Sequence, residues 1–348
     1  MSAAPSLEVQ DLVMHFPIRS GLLQRKIGAV QAVDGVSFRV PRGKTLGLVG
    51  ESGCGKTTVS RLVLKLIAPT SGRILMGGID VTRLSAAQMW QHRRRVQIVF
   101  QDPYSALNPR LSAGTMVGEP LENFGLATGR EREARVAQLF QQVGLSPEST
   151  RKYAHEFSGG QRQRLVIAKA LAAGPELIVA DEPVSALDVS VRAQVLNLMI
   201  DLQEQLGLSY LFISHDLSVV RHVSHRIAVM YLGRIVETAN TARLFAAPLH
   251  PYTEALLAAA PQPDPARRRA RRIILEGDVP SPARPPSGCR FHTRCPYVEP
   301  ACRVTDPPLL EVAPGHQVAC LKRPVGGAAE PLARLTPMSG MHQAPTRT

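Results

Sequence analysis

The chain has 348 residues, 44% of them hydrophobic, which suits one large domain with a smaller appendage and a sizeable buried core. No apolar run approaches the ~20 residues of a membrane helix, and the N-terminus lacks the charged-then-apolar layout of a signal peptide, so a cytosolic chain that docks on other subunits or on headgroups is expected. Five arginines of a chain with net charge +13 fall within Arg267–Arg272, and the rest of the charge is scattered, with smaller clusters at Arg93–Arg95 and around Arg162 and Arg164; with a single Trp and no aromatic interleaving, it suits a solvated basic surface better than a specific nucleic-acid platform.

Alternating segments at Leu7 to Val13 and Ala32 to Val40 predict strands. Lys44 to Val49 reads as a buried strand and Thr58 to Ile67 as a helix. Between them, Gly50-Glu51-Ser52-Gly53-Cys54-Gly55-Lys56-Thr57 fits G-x-x-x-x-G-K-[ST]. Glycines let the backbone wrap phosphates, Lys56 neutralises the β and γ groups, and the Thr57 hydroxyl suits Mg²⁺. A helix N-terminus and Lys56 should both favour the Cys54 thiolate, so alkylation there is expected to inhibit hydrolysis and nucleotide to protect.

From Asp102 to Glu156 the pattern turns helical. Val136, Leu139, Phe140 and Val143 fall on one face of a predicted helix over 130–143, which suggests an inserted helical subdomain. Ser158-Gly159-Gly160-Gln161 then opens a helix predicted from Gln161 to Leu171. Its unpaired N–H groups can face an anion at the positive end of the dipole, and Ser158 can equally serve as a plain N-cap. Leu177 to Ala180 is an apolar strand ending in Asp181-Glu182, at the sheet edge where open α/β folds bind ligands. There Asp181 can hold Mg²⁺ through water and Glu182 can deprotonate an attacking water. Tyr210 to Ser214 delivers His215 to the same edge. Strand and helix alternate to about Leu257, which indicates a mostly parallel, helix-covered sheet.

In this order the motifs resemble the ATP-binding cassette (ABC) family of ATPases over residues 7 to 255: Walker A at 50–57, Gln101 in the Q-loop, the signature at 157–161, Walker B at 177–182, the D-loop Ser185-Ala186-Leu187-Asp188 and the switch His215. The resemblance implies an α/β P-loop NTPase cassette over 1–258, with a mostly parallel core sheet, an antiparallel β segment and a helical subdomain at about 102–157. It implies that Gly50, Glu51, Ser52, Gly53, Cys54, Gly55, Lys56, Thr57 and Thr58 surround ATP. Lys56, Thr57, Gln101 and Asp181 would handle phosphate and Mg²⁺, Glu182 would be the general base, and His215 would sense the γ-phosphate. Ser158, Gly159, Gly160, Gln161 and Asp188 would act on the ATP of an opposing cassette, so that two chains sandwich two ATPs. Phe157 stands where the family usually has Leu. Phe16 is the candidate for stacking on adenine, or else a core residue of an early strand.

Gln101 to Arg110 resembles the extended Q-loop of peptide and nickel importer ATPases. His250-Pro251-Tyr252-Thr253 and Gly277-Asp278-Val279-Pro280-Ser281-Pro282 resemble the C-terminal extension of the oligopeptide and dipeptide importer ATPases. That extension is expected over 259–324, with a Pro- and Arg-rich connector at 260–287 that has little core of its own, and with a disordered tail at 325–348. Cys289, Cys295, Cys302 and Cys320 crowd into 32 residues, while Cys54 is the only other cysteine. A reducing compartment argues against disulfides; zinc or an iron–sulfur cluster would staple so small a segment, and the spacing chooses neither. His292 and His316 are possible substitute ligands. Residues Pro286 to Pro296 resemble the cysteine motif that ends peptide-importer ATPases, which implies a [4Fe-4S] cluster ahead of zinc and of unmetallated thiols.

The function implied is the ATP-hydrolysing subunit of a bacterial di- or oligopeptide importer, peripheral on the cytoplasmic face of the inner membrane. Its partners would be a second cassette, itself or a paralogue, two integral membrane permeases and, indirectly, an extracytoplasmic substrate-binding protein. The alternatives are a soluble ABC ATPase on ribosomes or nucleic acid, an importer of nickel or another small solute, and a metal or redox sensor built on the cysteines.

Overall fold

Residues 4–21, 24–259 and 277–323 are described by the computed structural model. The first two predicted strands are longer than their alternation suggests: β1 (Leu7–Ser20) and β2 (Arg25–Val40) pair antiparallel from Leu7↔Val40 to Ser20↔Arg25, through four register shifts. The buried run Thr45–Val49 is β3. With β4 (Ser71–Met76) and β5 (Ile79–Asp80), the first two strands form an antiparallel sheet in the order β2-β1-β4-β5.

The second sheet adds β6 (Val96–Val99), β7 (Leu177–Asp181), β8 (Ser209–Ser214), β9 (Arg226–Tyr231), β10 (Arg234–Asn240), β11 (Leu310–Ala313) and β12 (His316–Val318). Its order is β11-β12-β10-β9-β3-β8-β7-β6. The five strands β9, β3, β8, β7 and β6 are mutually parallel. The remaining three close one edge antiparallel.

Alternation along the central strands divides the core in two. Val49, Ile178, Ala180, Phe212 and Val229 face one hydrophobic cluster. Their neighbours Leu48, Val179, Leu211, Ile213 and Ala228 face the other, shared with Leu7, Val9 and Ile74 of the antiparallel sheet. Both faces are covered, which is why these strands read as continuous apolar runs.

Helix α1 (Lys56–Val63) starts two residues before the predicted Thr58 and ends four before Ile67. Gly55 turns the chain directly into the helix, and the positive φ of Lys65 (54°) ends its path. After α2 (Ala86–Arg93), the helical layer comprises α3 (Pro103–Ala106), α4 (Ala113–Asn123), α5 (Gly129–Gln142) and α6 (Gly159–Ala172). Val136, Leu139, Phe140 and Val143 are buried there as their spacing predicts, against Met116, Leu121 and Leu165. Phe157 is buried in the same cluster, so its ring is accommodated as an apolar side chain. α6 begins at Gly159, not at Gln161, because Ser158 is its N-cap. The remaining helices are α7 (Val189–Leu206), α8 (Leu217–Val223), α9 (Thr241–Ala246), α10 (Pro251–Ala259) and α11 (Pro300–Val304).

The extension is integrated with the larger fold. β12 continues the main sheet through Glu237↔Val318 and Thr238↔Gln317, and Phe291 is 1% exposed inside the larger core cluster. The connector residues 260–276, including Arg267–Arg272, and the tail 324–348 lie outside the described residues. Of the smaller basic clusters, Arg95 makes a two-point pair with Glu176 (2.8 and 2.9 Å), and Arg94 donates to the Ala173 carbonyl at 3.1 Å. Arg162 and Arg164 donate to the Ala154 and Val143 carbonyls, both at 2.8 Å. These arginines are held by structural contacts within the chain.

Candidate active site

Parallel register brings three strand ends to one edge. Val49 pairs with Ser214 and Asp181 with Ile213, so the loop after β3, the Asp181-Glu182 pair and His215 emerge side by side. An open cleft of about 720 Å³ there is lined by Gly50, Glu51, Ser52, Gly53, Gly55, Lys56, Thr57, Thr58, Gln101, Glu182 and His215, whereas Cys54 and Asp181 are buried and are not among its lining residues. Val30, Ala32, Leu256 and Pro282 complete it.

The loop Gly50–Thr57 is shaped by close backbone contacts. At Gly55 φ is 108°, and a Cβ would stand 2.1 Å from the Ala32 carbonyl oxygen. At Gly50 a Cβ would stand 2.1 Å from the Met230 oxygen. Lys56 is 5% exposed, and its Nζ donates to the Gly50 and Glu51 carbonyls at 2.8 and 3.0 Å. A cation resting on loop carbonyls beside an open cleft can turn to an anion that enters.

Glu182 is held from both sides. Its Oε1 lies 3.1 Å from His215 Nδ1, and its Oε2 accepts from Gln101 Nε2 at 3.1 Å. Its backbone is left-handed (φ 52°), a costly conformation for a non-glycine residue that recurs at functional sites. Burial raises the Asp181 carboxyl above the usual range, the adjoining Glu182 adds to this, and Ser60 and Lys56 oppose it. The Asp181 carboxylate and Thr57 hydroxyl are hard oxygen donors of the kind Mg²⁺ takes.

Cys54 corrects an expectation. The residue is 3% exposed, and burial pushes its thiol up despite Lys56, so the neutral thiol is favoured over the thiolate. Phe16, on β1 opposite Val30 of β2, is 38% exposed and is not among the residues lining the cleft.

Ser158 to Gln161 do not line the cleft of their own chain. Ser158 and Gln161 form a reciprocal capping box: Gln161 N–H donates to Ser158 Oγ at 3.4 Å, and Ser158 N–H to Gln161 Oε1 at 2.9 Å. A Cβ on Gly159 would contact Leu187 at 3.8 Å, so this turn lies beside the Ser185–Asp188 segment. Ser158, Gly159, Asp188 and Val189 are exposed together. The loop after Gln101 is tied to the same helix, because Arg162 lies over the Tyr104 ring at 4.2 Å and donates to its hydroxyl.

The four clustered cysteines are free and line one cavity of about 20 Å³ with His250 and His292. Burial pushes Cys289 to about 11 and Cys295 to about 12, and Cys320 upward. Among the described residues, no group of three or more His, Cys, Asp or Glu is arranged to hold a metal ion. His292 Nδ1 faces the Cys289 carbonyl (2.9 Å), whereas His316 lies elsewhere, 2.7 Å from buried Glu237.

Sequence reasoning missed the contribution of the extension and of α10 to the cleft. Tyr252 Oη accepts from the Glu51 N–H at 2.8 Å, Leu256 and Pro282 form part of the wall, and Arg294 grips the Glu51 carboxylate. The motifs around Tyr252 and Pro282 marked these segments without showing where they dock.

Residues 33–185 match the family model described as ABC transporter, and residues 236–302 the model described as Oligopeptide/dipeptide transporter, C-terminal region. The chain is 55% identical to the Probable peptide ABC transporter ATP-binding protein y4tS of Sinorhizobium fredii, over 93% of this chain and 91% of that protein. It is 54% identical to the Oligopeptide transport ATP-binding protein AppF of Bacillus subtilis, over 90% and 96%. Among solved structures, the ATP-binding cassette MJ0796, a dimer in a post-hydrolysis state bound to ADP and Pi, matches with a TM-score of 0.60 and 26% identity over 68% of this chain and 98% of that one.

Proposed function

The chain belongs to the ABC transporter ATPases, in the branch with an oligopeptide/dipeptide transporter C-terminal region, and from this premise we propose how its residues drive peptide import. It is the ATP-hydrolysing subunit of a peptide importer. The convergence of Lys56, Gln101, Glu182 and His215 on one cleft carries the reading. Lys56 leaves the Gly50 and Glu51 carbonyls to meet the β and γ phosphates. Glu182, aimed by Gln101 and His215, takes a proton from the water that attacks the γ-phosphorus. Thr57, Gln101 and Asp181 are the residues that would hold Mg²⁺, which supplies neutralisation of the phosphate charge.

Two such cassettes pair, and each offers its Ser158–Gln161 turn, exposed at Ser158, Gly159 and Gln161, and its Asp188 to the nucleotide of the other. The loop from Gln101 to Arg110, tied to α6 through Tyr104 and Arg162, passes closure on to two integral permeases. Among the described residues no helix is long and apolar enough to cross a membrane, which supports a peripheral subunit. We place it on the cytoplasmic face, where ATP is available, with a substrate-binding protein on the far side. Phe16, paired across the strands with the cleft residue Val30, is the proposed partner of adenine.

The division into a cassette over 1–258 and an extension over 259–324 is part of the same reading. Four thiols around a cavity are soft donors suited to an iron–sulfur centre. We rank a [4Fe-4S] cluster ahead of zinc on the resemblance of Pro286 to Pro296 to the peptide-importer cysteine motif, and the cavity of about 20 Å³ between the thiols would have to widen to admit it. Anaerobic purification with metal analysis and a visible spectrum decides this: colourless protein with stoichiometric zinc contradicts the cluster.

The cargo is tested by reconstituting the chain with its permeases in proteoliposomes. Peptide added with its binding protein should stimulate ATP hydrolysis. Stimulation by nickel and not by peptide would overturn the assignment.

A further inference from the structure

The cysteine-rich extension holds the phosphate loop by one side chain. Arg294 Nη1 lies 2.8 Å from Glu51 Oε2, and Nη2 lies 3.3 Å from Oε1, a two-point pair in which the arginine side chain is 8% exposed. Glu51 is the one carboxylate in the loop Gly50–Thr57. Its N–H donates to the Tyr252 hydroxyl at 2.8 Å, and its carbonyl accepts from Lys56 at 3.0 Å. A single loop residue thus meets the extension, α10 and the lysine of the cleft.

Arg290 fixes the other end of the same short segment. It donates to the Leu232 carbonyl, to Gln31 Oε1 at 2.7 Å and to Asp34. Phe291 stands edge-on to Tyr231 with ring centroids 5.2 Å apart. Both arginines lie between Cys289 and Cys295, so the segment is docked on the cassette at two charged points and through the Phe291 ring, which also meets the rings of Tyr252 and His250.

A carboxylate beside a site for phosphate is repulsive unless a cation answers it, and burial sharpens that repulsion. We propose that Arg294 is a positioning residue of the nucleotide site: by pairing with Glu51 it cancels the loop's only negative side chain and fixes the loop's first turn. The extension thereby sets the affinity of the loop for ATP. This inference rests on the assignment of the cleft to ATP.

The test is binding of a fluorescent ATP analogue to the full chain in the wild type, in Arg294→Ala and in Glu51→Gln/Arg294→Ala. The single variant should bind about tenfold more weakly, and the double variant should recover to within about threefold of wild type, because the unpaired charge has gone. Arg294→Lys, which keeps the charge and loses the two-point grip, should fall between. A loss that persists undiminished in the double variant assigns Arg294 a structural role alone and overturns the proposal, as does wild-type affinity in Arg294→Ala. An Arg294→Ala chain that fails to fold leaves the lysine variant as the measure, and unchanged affinity there overturns the proposal. A wild-type chain that does not bind the analogue defeats the ATP assignment itself.

Discussion

Glu182 and His215 meet across the ends of two neighbouring parallel strands, with His215 Nδ1 3.1 Å from Glu182 Oε1. The histidine side chain is 57% exposed and the glutamate side chain 18%, and both line the open cleft. A base held in this way loses its aim when the imidazole is removed. His215→Ala should lower kcat for ATP hydrolysis by about a hundredfold or more, with KM changing much less. Steady-state kinetics check this, and a variant with raised KM and intact kcat would assign His215 to binding alone.

Gly55 is fixed by its backbone. Its φ of 108° and the 2.1 Å approach of any Cβ to the Ala32 oxygen leave no room for a side chain. Gly55→Ala should abolish nucleotide binding while the far-ultraviolet circular dichroism of the sheet and helices persists. Wild-type binding by this variant would show that the loop tolerates a different path.

Glu237 is 0% exposed and joins extension to cassette: its carboxylate accepts from the Leu249 and His250 N–H groups at 2.8 and 2.9 Å and meets His316 at 2.7 Å. Glu237→Ala would leave those buried partners unpaired and should cost about 3–5 kcal/mol in denaturant unfolding. A loss below about 1 kcal/mol would mean that water replaces the carboxylate.

Burial of Cys54 fixes the sign of its reactivity. Its thiol is raised above the ordinary range, so at neutral pH the unreactive protonated form dominates, and the thiolate appears only as the pH climbs past the value of a free cysteine. Alkylation at pH 7.5, followed by peptide mass mapping, should modify Cys54 more slowly in folded than in denatured protein. Faster labelling in the folded state would restore the activated thiolate that the loop sequence suggests.

The residues that meet at the cleft were legible because each follows an apolar strand, and parallel strands deliver their C-terminal ends to one edge. Gly50, Asp181, Glu182 and His215 could be placed on that ground alone. The signature turn was legible as a helix start, and its capping box is the local chemistry its residues encode. The extension was not legible in the same way. Arg294 meets Glu51 across 243 residues and His316 meets Glu237 across 79, and no periodicity announces such contacts. The three-residue β12 is too short to show alternation, and its pairing with β10 comes from tertiary docking. The state of the Cys54 thiol is not legible from the loop because burial, a property of the folded chain, outweighs the dipole and Lys56.

The central claim is that Glu182 activates the water in a cleft that Lys56 and its loop equip for ATP. Glu182→Gln keeps the shape and one acceptor oxygen but removes the base. Single-turnover hydrolysis by this variant should fall by about a hundredfold to ten-thousandfold, while ATP still binds and holds cassettes together as dimers in size-exclusion chromatography. Hydrolysis at the wild-type rate would contradict the account.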